Sequence, residues 1–337
     1  MSADEPISLR VAMLEAIERA LKNAIQPIEP DRYPELARMI HYHMGWLDEA
    51  KSSGKRIRPL ITLLCCAGAG GDWRSIVPAA SAIELIHSFT LIHDDIEDQS
   101  ETRRGRATLW KLWGIPQAIN TGDSIFTMSR LSTRRLLDTD IRSERVLKVQ
   151  HILDQACLHL TKGQYLDLAF ETQERISIED YLEMIEGKTS ALFTASSTTG
   201  AQLAGASSST IDQYHAFGYH LGLAFQVQDD ILGIWGDPEQ TGKPAGDDLR
   251  QRKKTLPTLY GMEKSPTFAD LFSKNANQVD IQNLYDALNR VDALDHARDF
   301  SRHQTELALK ALEEAEPMET ALTELENIVH RLTNRQS

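Results

Sequence analysis

Apolar side chains recur at helical spacing along nearly all of this 337-residue chain, and sustained strand alternation is scarce. Ile7 to Leu21 places Leu9, Val11, Leu14, Ile17 and Leu21 at helical spacings, and Tyr33 to Leu47 continues with Leu36, Ile40, Met44 and Leu47. Pro59 suits the first turn of a third helix, because its missing N–H costs nothing there, and Gly68, Gly70 and Gly71 break the far end. Asp72 offers a cap for a long segment reaching Ile96. The same periodicity predicts helices over Ile115 to Leu136, Ile141 to Ala169, Ile178 to Gly200, Thr210 to Ile231, Ile281 to Asp299, Arg302 to Ala315 and Met318 to Leu332. Gly236, Pro238, Gly242 and Pro244 make the interval Gly233 to Gly246 a structured loop, and Lys264 to Val279 also reads as loop. Leu60 to Cys66 could pass locally for a strand, but its neighbours lack the repeated strand and turn pattern of an α/β protein. The expectation is one all-α domain over residues 1–337, with a loop at about 233–248.

Charge narrows the partners. With 49 acidic against 36 basic side chains the net charge is -13, which disfavours nucleic acid and anionic membrane faces. It does not exclude small polyanions, since local basic clusters or metal-loaded carboxylates can hold them. No stretch of ~20 uninterrupted apolar residues predicts a membrane span, and the first residues lack the basic flank and apolar core of an export signal. Cys65, Cys66 and Cys157 have neither bridge nor metal spacing, so they read as small buried hydrophobes in a reduced, cytoplasmic setting.

Two apolar helical segments end in Asp-Asp pairs. Asp94 and Asp98 lie four residues apart on one face, with Asp95 three residues from Asp98. In GYHLGLAFQVQDDILG, Gln226 stands one turn from both Asp229 and Asp230, and Asp237, Asp247 and Asp248 follow near the glycine-rich bend. Either acid set alone reads equally as a solvated helix end. Their repetition favours Mg²⁺, a hard cation that takes carboxylate, water and phosphate oxygens together. Lys55, Arg56 and Arg58 precede one helix, Arg103 and Arg104 follow the first acids, and Lys243, Lys253 and Lys254 follow the second. Cations recurring beside acids suggest metal-assisted phosphate binding, with arginine gripping phosphate oxygens through paired hydrogen bonds.

The ordered motifs GKRIRP (Gly54 to Pro59), ELIHSFTLIHDDIED (Glu84 to Asp98), RRG (Arg103 to Gly105), GQYLDL (Gly163 to Leu168), Lys188-Thr189, FQVQDDILG (Phe225 to Gly233), GKPAGDDLR (Gly242 to Arg250) and KKTLP (Lys253 to Pro257) resemble the trans-isoprenyl diphosphate synthases, the polyprenyl synthetase family. The resemblance implies an isoprenoid synthase fold of antiparallel helices around a deep central cavity, usually as a homodimer. It implies Mg²⁺, three ions per active site, with Asp94, Asp95, Asp98, Asp229 and Asp230 as metal ligands. It also implies that Arg103, Lys188, Lys243 and Lys253 hold an allylic diphosphate, with Gln226 near the reacting allyl group and Thr189 among the substrate-binding residues. Lys55, Arg58, His87 and Arg104 match positions for isopentenyl diphosphate. Read from its neighbours alone, His87 is a core-facing histidine.

Two positions bear on the finer reading. Gly233 stands where many relatives have the last aspartate of the second motif, which points to a specialised enzyme or to a noncatalytic subunit of a heteromeric synthase. Phe89, five residues before Asp94, matches a position that closes the product tunnel, with the smaller Thr90 beside it. The pattern resembles geranylgeranyl synthases, so the expected product is the C20 diphosphate. A farnesyl or longer-chain synthase and an ionisation-driven terpene cyclase are the alternatives.

Overall fold

The computed structural model describes residues 8–47, 54–237, 246–274 and 280–333. Among them the fold is all-α apart from one two-stranded antiparallel hairpin, β1 (Thr102–Arg103) with β2 (Arg106–Ala107), in which Thr102 pairs with Ala107 and Arg103 with Arg106. By compactness the chain divides into two units, each assembled from separate stretches of sequence.

The first unit takes Met1–Gln155, Ala195–Tyr214 and Ala315–Leu325. It holds α1 (Leu9–Ala24), α2 (Pro34–Met44), α3 (Ile57–Gly68), α4 (Val77–Glu97), α5 (Leu109–Trp113), α6 (Ile115–Arg134) and the first part of α7 (Ser143–Thr172). Helix α4 buries residues on every side, among them Ala79, Ala82, Ile83, Leu85, Ile86 and Ile92. A helix with no polar stripe must be enclosed, and α4 packs against α6, α3 and α1. Small residues let α4 and α6 approach closely. Gly122 of α6 faces the His93 ring, whose Cδ2 would lie 2.6 Å from any Cβ placed there.

The second unit takes Ala156–Thr194, His215–Glu314 and Glu326–Ser337. It contains the rest of α7, α8 (Ile178–Ile185), and parts of α9 (Ala191–Ala204) and α10 (Ser208–Trp235). The short α11 (Asp247–Arg250) leads to α12 (Leu256–Lys264), α13 (Pro266–Ser273), α14 (Ile281–Asn289) and α15 (Ala293–Glu314), and the part of α16 (Glu319–Thr333) from Glu326 onward also belongs to this unit. Tyr181, Ile185, Leu223, Val227, Ile231, Leu256, Leu259 and Ala297 form one apolar cluster of this unit. Ile234, Leu249, Phe268, Phe272, Leu284 and Leu288 form another.

Several boundaries differ from the sequence expectations. Asp72 does not cap α4. Its carboxylate accepts from Arg74 N at 3.1 Å in a preceding turn, and the helix starts at Val77 behind Ile76 with Pro78 in its first turn. The segment expected as one helix over Ile178 to Gly200 is interrupted by a π-turn, Glu186–Ser190. Helix α10 passes through Gly233 and ends at Trp235, because Ile234 is fully buried and rewards another turn. The remainder of the expected loop, including Pro238, Gly242 and Pro244, lies outside the described residues. Lys264 to Val279 is not all loop: Ser265 caps α13 by accepting from Phe268 N at 3.1 Å, and Phe268 and Phe272 anchor it in the core. The break expected near Asp299 falls instead at residues 290–292, where Asp292 takes a left-handed conformation with φ 54°. Leu60 to Cys66 lies within α3.

Cys65 and Cys66 are fully buried and Cys157 is half-buried. Burial raises the Cys65 thiol well above its ordinary range and pushes Cys66 up to about 12, with the Asp72 charge adding to the second. Among the described residues no helix is long and apolar enough to cross a membrane.

Candidate functional site

The first acidic motif sits at the C-terminal end of α4, where the unsatisfied carbonyls disfavour more negative charge. The hairpin that follows returns a cation to it. Arg103 donates from Nε to Asp95 Oδ1 at 2.6 Å and from Nη2 to Asp94 Oδ2 at 2.8 Å, so one guanidinium spans both carboxylates. Asp95 is buried, Asp94 half-buried and Asp98, the C-cap residue, exposed. Burial pushes the Asp95 carboxyl up to about 6 against the opposing pull of Arg103.

A basic cluster adjoins these acids. Gly54 has φ 86°, and the Arg104 guanidinium packs so closely over it that a Cβ would stand 2.6 Å from Nη1. Glycine therefore brings the strand of chain bearing Lys55 against the hairpin. Lys55 is exposed and Arg58, in the first turn of α3, is half-buried. Arg56 has another task. Its Nε donates to Glu18 at 2.7 Å, its Nη1 to Glu84 at 2.8 Å and its Nη2 to the Met44 carbonyl at 3.1 Å. Losing one partner of such a buried pair costs about 3–5 kcal/mol, which makes Arg56 a strut.

His87 lies in this cationic surrounding. Burial, then the charges of Arg58, Arg104 and Arg103, hold its imidazole well below the ordinary value. The structure adds His43 of α2, which the sequence reading did not single out. Burial and then Arg103, Arg104 and Arg56 push it down to about 3, although it hydrogen-bonds the Ser88 backbone. Only the packing of α2 against these arginines reveals it, since no spacing rule links position 43 to position 103. As pH falls below 6.5 the unfolded chain takes up a proton that folded His43 refuses until about pH 3, so stability is lost across that window. His43→Gln removes this titration and should show a smaller stability loss between about pH 7 and pH 5 in urea unfolding. Equal losses in variant and wild type would refute a His43 held neutral in the folded chain.

Phe89 and Thr90 are half-buried on α4. The Phe89 ring meets Phe126 edge-on at 4.9 Å between centroids and His93 at 5.8 Å. The Thr90 hydroxyl donates to the His87 carbonyl at 2.8 Å.

In the second unit the π-turn carries Lys188 and Thr189. An inserted residue of this kind reorients side chains that a regular helix would aim elsewhere. Lys188 is ion-paired with Asp167 of α7. Thr189 donates to Gln226 Oε1 at 2.6 Å, and Gln226 Nε2 donates to Asp230 Oδ1 at 3.0 Å, which fixes the amide orientation. Asp230 Oδ2 also accepts from the Tyr181 hydroxyl and from Leu256 N at 3.3 Å. Burial drives the Asp230 carboxyl up to about 7, these donors work against the rise, and the charge of Asp248 adds to it. Asp229 is half-buried and Lys253 exposed. Lys254 donates to the Phe170 carbonyl near the end of α7. Lys243 lies outside the described residues. Tyr181 and Asp167 were missed from sequence because a buried phenol and a mid-helix acid carry no signal until their partners are known.

Among the described residues no group of three or more His, Cys, Asp or Glu side chains is gathered into a ready-made metal cage. Mg²⁺ is commonly held by one or two carboxylates together with substrate phosphates. The Asp94 and Asp95 carboxylates already share a cation in Arg103, and their oxygen donors match a hard ion.

Carboxylates at two helix ends, the first pair spanned by Arg103, on an all-α body have the donor chemistry of a class of protein that handles small polyanions. The sequence profile of the Polyprenyl synthetase family matches residues 36–288. The chain is 41% identical over 251 residues to the (2E,6E)-farnesyl diphosphate synthase of Mycobacterium bovis, covering 73% of this chain and 67% of that protein. It is 42% identical over 240 residues to a geranylgeranyl diphosphate synthase of Mycobacterium tuberculosis, covering 70% and 67%. The crystal structure of geranylgeranyl pyrophosphate synthetase from Pyrococcus horikoshii Ot3 superposes with a TM-score of 0.82 at 31% identity, over 95% of this chain and 99% of that one. The chain belongs to the polyprenyl synthetase family, the trans-isoprenyl diphosphate synthases, and has their all-α isoprenoid synthase fold.

Proposed function

We propose that this protein is a Mg²⁺-dependent trans-prenyltransferase that condenses isopentenyl diphosphate with allylic diphosphates, with geranylgeranyl diphosphate as the favoured product. The observation that carries this reading is the Arg103 guanidinium spanning Asp94 and Asp95 beside Arg104, Arg58 and a neutral His87. Family membership supports the same reaction class. The homodimer belongs to the same reading through the family resemblance, and the single domain and the cytoplasmic setting are proposed with it from the helical periodicity and the cysteine usage.

Asp94, Asp95 and Asp98 in one unit and Asp229 and Asp230 in the other would hold Mg²⁺. The bound ions would neutralise charge developing on a departing diphosphate, as Lewis acids do. Arg103 and Lys188 would each exchange the present carboxylate partner for phosphate oxygens, and the family resemblance assigns Lys243 and Lys253 to allylic diphosphate as well. Lys55, Arg58 and Arg104 hold the second diphosphate, with His87 offering an uncharged ring N–H. Thr189 and Gln226 form a fixed polar edge, and the amide oxygen turned toward Thr189 suits an electron-poor allyl group. The isopentenyl double bond attacks that allyl carbon, the C–O bond to diphosphate breaks, and loss of a proton from the adduct restores an alkene. Released diphosphate can accept that proton, so no histidine is needed as base.

One assay separates the readings: several allylic primers, with and without isopentenyl diphosphate and Mg²⁺. Condensation that needs both supports the synthase. Cyclic hydrocarbon formed without isopentenyl diphosphate would show a cyclase, and inactivity until another subunit is added would show a regulatory chain.

Product length is tested at Phe89. Its ring is braced by Phe126 and His93, so it can act as a rigid stop rather than a mobile side chain. Phe89→Ala should move the main product beyond C20 when farnesyl and isopentenyl diphosphates are supplied and the products chromatographed. An unchanged distribution would remove Phe89 from this role.

A further inference from the structure

The hairpin that carries Arg103 has only two residue pairs, Thr102 with Ala107 and Arg103 with Arg106. A two-stranded hairpin has little stability of its own, so the place it gives Arg103 is set by what the hairpin leans on. Its tip turns through Arg104 and Gly105, both left-handed at φ 53° and 71°, which suits a tight two-residue connection. Its base is closed by Thr108, whose N–H donates to the Glu101 carbonyl at 3.0 Å and whose hydroxyl donates to the Ser100 carbonyl at 2.8 Å. Along β2 a side chain of α2 adds a hold from outside. The Tyr42 hydroxyl donates to the Ala107 carbonyl at 2.9 Å, and the Arg106 guanidinium lies over the Tyr42 ring, 3.8 Å from its centre. The Trp113 ring meets the same tyrosine edge-on at 5.3 Å.

Tyr42 is in turn referred back to the helix that bears the acids. Gly45, at φ 80°, ends α2 by donating to the His41 and Tyr42 carbonyls. Arg56 Nη2 holds the Met44 carbonyl at 3.1 Å, and the Ser88 hydroxyl of α4 donates to Met44 Sδ at 3.4 Å. Charge makes the arrangement more than a brace. Arg103 and Arg106 stand directly opposite each other in the hairpin, a relation in which like charges repel. The Tyr42 ring gives the Arg106 cation a partner of its own, and Arg103 is the guanidinium that spans Asp94 and Asp95.

We propose that Tyr42 is a positioning residue of the diphosphate site: through its bond to Ala107 and its stack under Arg106 it sets the hairpin so that Arg103 meets the oxygens at the end of α4. The inference rests on the reading of Asp94, Asp95 and Arg103 as a Mg²⁺-diphosphate site. Tyr42 acts through the hairpin and not on the reacting atoms. Its loss therefore weakens diphosphate binding only while Arg103 is present to be misplaced, and that coupling separates it from a residue that merely stabilises the fold.

The test is a double-mutant cycle of Tyr42→Leu and Arg103→Gln, read by isothermal titration calorimetry of the full chain with inorganic diphosphate in the presence of Mg²⁺. Arg103→Gln should weaken binding by about tenfold or more, as loss of a charge-assisted contact does. Tyr42→Leu should weaken it by about tenfold, and Tyr42→Phe, which keeps the ring under Arg106 and loses the hydroxyl, by about threefold. With Arg103 already replaced, Tyr42→Leu should weaken binding by less than about twofold, because coupled positions do not add. Thermal unfolding of each variant separates lost binding from lost folding, and Tyr42→Phe completes the cycle if Tyr42→Leu does not fold. Wild-type affinity in either single variant, or a tenfold effect of Tyr42→Leu that persists in Arg103→Gln, would overturn the positioning role. If Arg103→Gln weakens binding while Tyr42→Leu does not, the positioning role fails and the diphosphate reading stands. No diphosphate binding by the wild type would overturn both.

Discussion

Asp94→Ala combined with Asp95→Ala should lower the condensation rate by at least about 10³-fold and abolish its dependence on Mg²⁺. The pair is the most concentrated negative charge on α4, and one member is buried where a carboxylate is costly to keep ionised. Burial, with the Asp94 charge adding to it, pushes Asp95 up to about 6 even with Arg103 against it, so the chain retains this acid at a cost to itself. A group kept against its own desolvation is one whose charge is used, here to accept positive charge from a metal-bound substrate. A factor of 10³ corresponds to about 4 kcal/mol of transition-state stabilisation, within reach of losing a site where leaving-group charge is neutralised.

Loss of folding would mimic that result, and the ion pairs show how to separate the two. Removing both acids leaves Arg103 without the partners it now spans, at 2.6 and 2.8 Å, but the residue is only partly buried and can turn toward water. The double variant should therefore keep its circular dichroism and its cooperative unfolding while losing turnover. A soluble, folded variant with near-normal condensation and unchanged Mg²⁺ response would remove both acids from the proposed site.

The parts of this site that could be read from sequence are those where local pattern and chemistry coincide. The Asp-Asp pairs are visible because helical periodicity puts them at the ends of apolar segments, and Lys188-Thr189 is visible only through family resemblance. Arg56 shows the limit. It shares a basic cluster with Lys55 and Arg58 but is tied to Glu18 and Glu84, which lie far from it in sequence. His43 and Tyr42 show the same limit from the other side, because each matters through a neighbour on another element. Helix existence was legible over most of the chain. The misplaced boundaries arose where tertiary burial overrode a local breaker, as at Gly233, or where a left-handed residue such as Asp292 ended a helix with no glycine to announce it.

Gly163→Ala should cost both stability and turnover, though no atom of Gly163 carries chemistry. A Cβ at this position of α7 would stand 2.7 Å from the Gly187 carbonyl carbon and 2.8 Å from Lys188 Cα, with Lys188 N closer still. Every one of these neighbours is backbone, so no side-chain rotation relieves the clash. The opposite face is equally tight, since a Cβ at Gly187 would meet the His159 carbonyl oxygen at 2.6 Å. Helix α7 and the π-turn Glu186–Ser190 thus touch main chain to main chain, and one methyl must drive them apart. Overpacking of this kind costs about 1–3 kcal/mol or more. The displaced segment carries Lys188, paired with Asp167, and Thr189, which fixes Gln226. A shift of about 1 Å in such groups can cost roughly 10²-fold in rate. Gly163→Ala should accordingly lose both stability in urea unfolding and turnover, whereas Lys162→Ala, at an exposed position of the same turn, should stay within about 0.5 kcal/mol of wild type. If Gly163→Ala unfolds at the wild-type urea concentration and turns over at the wild-type rate, the close seating of the π-turn on α7 does not position Lys188 and Thr189.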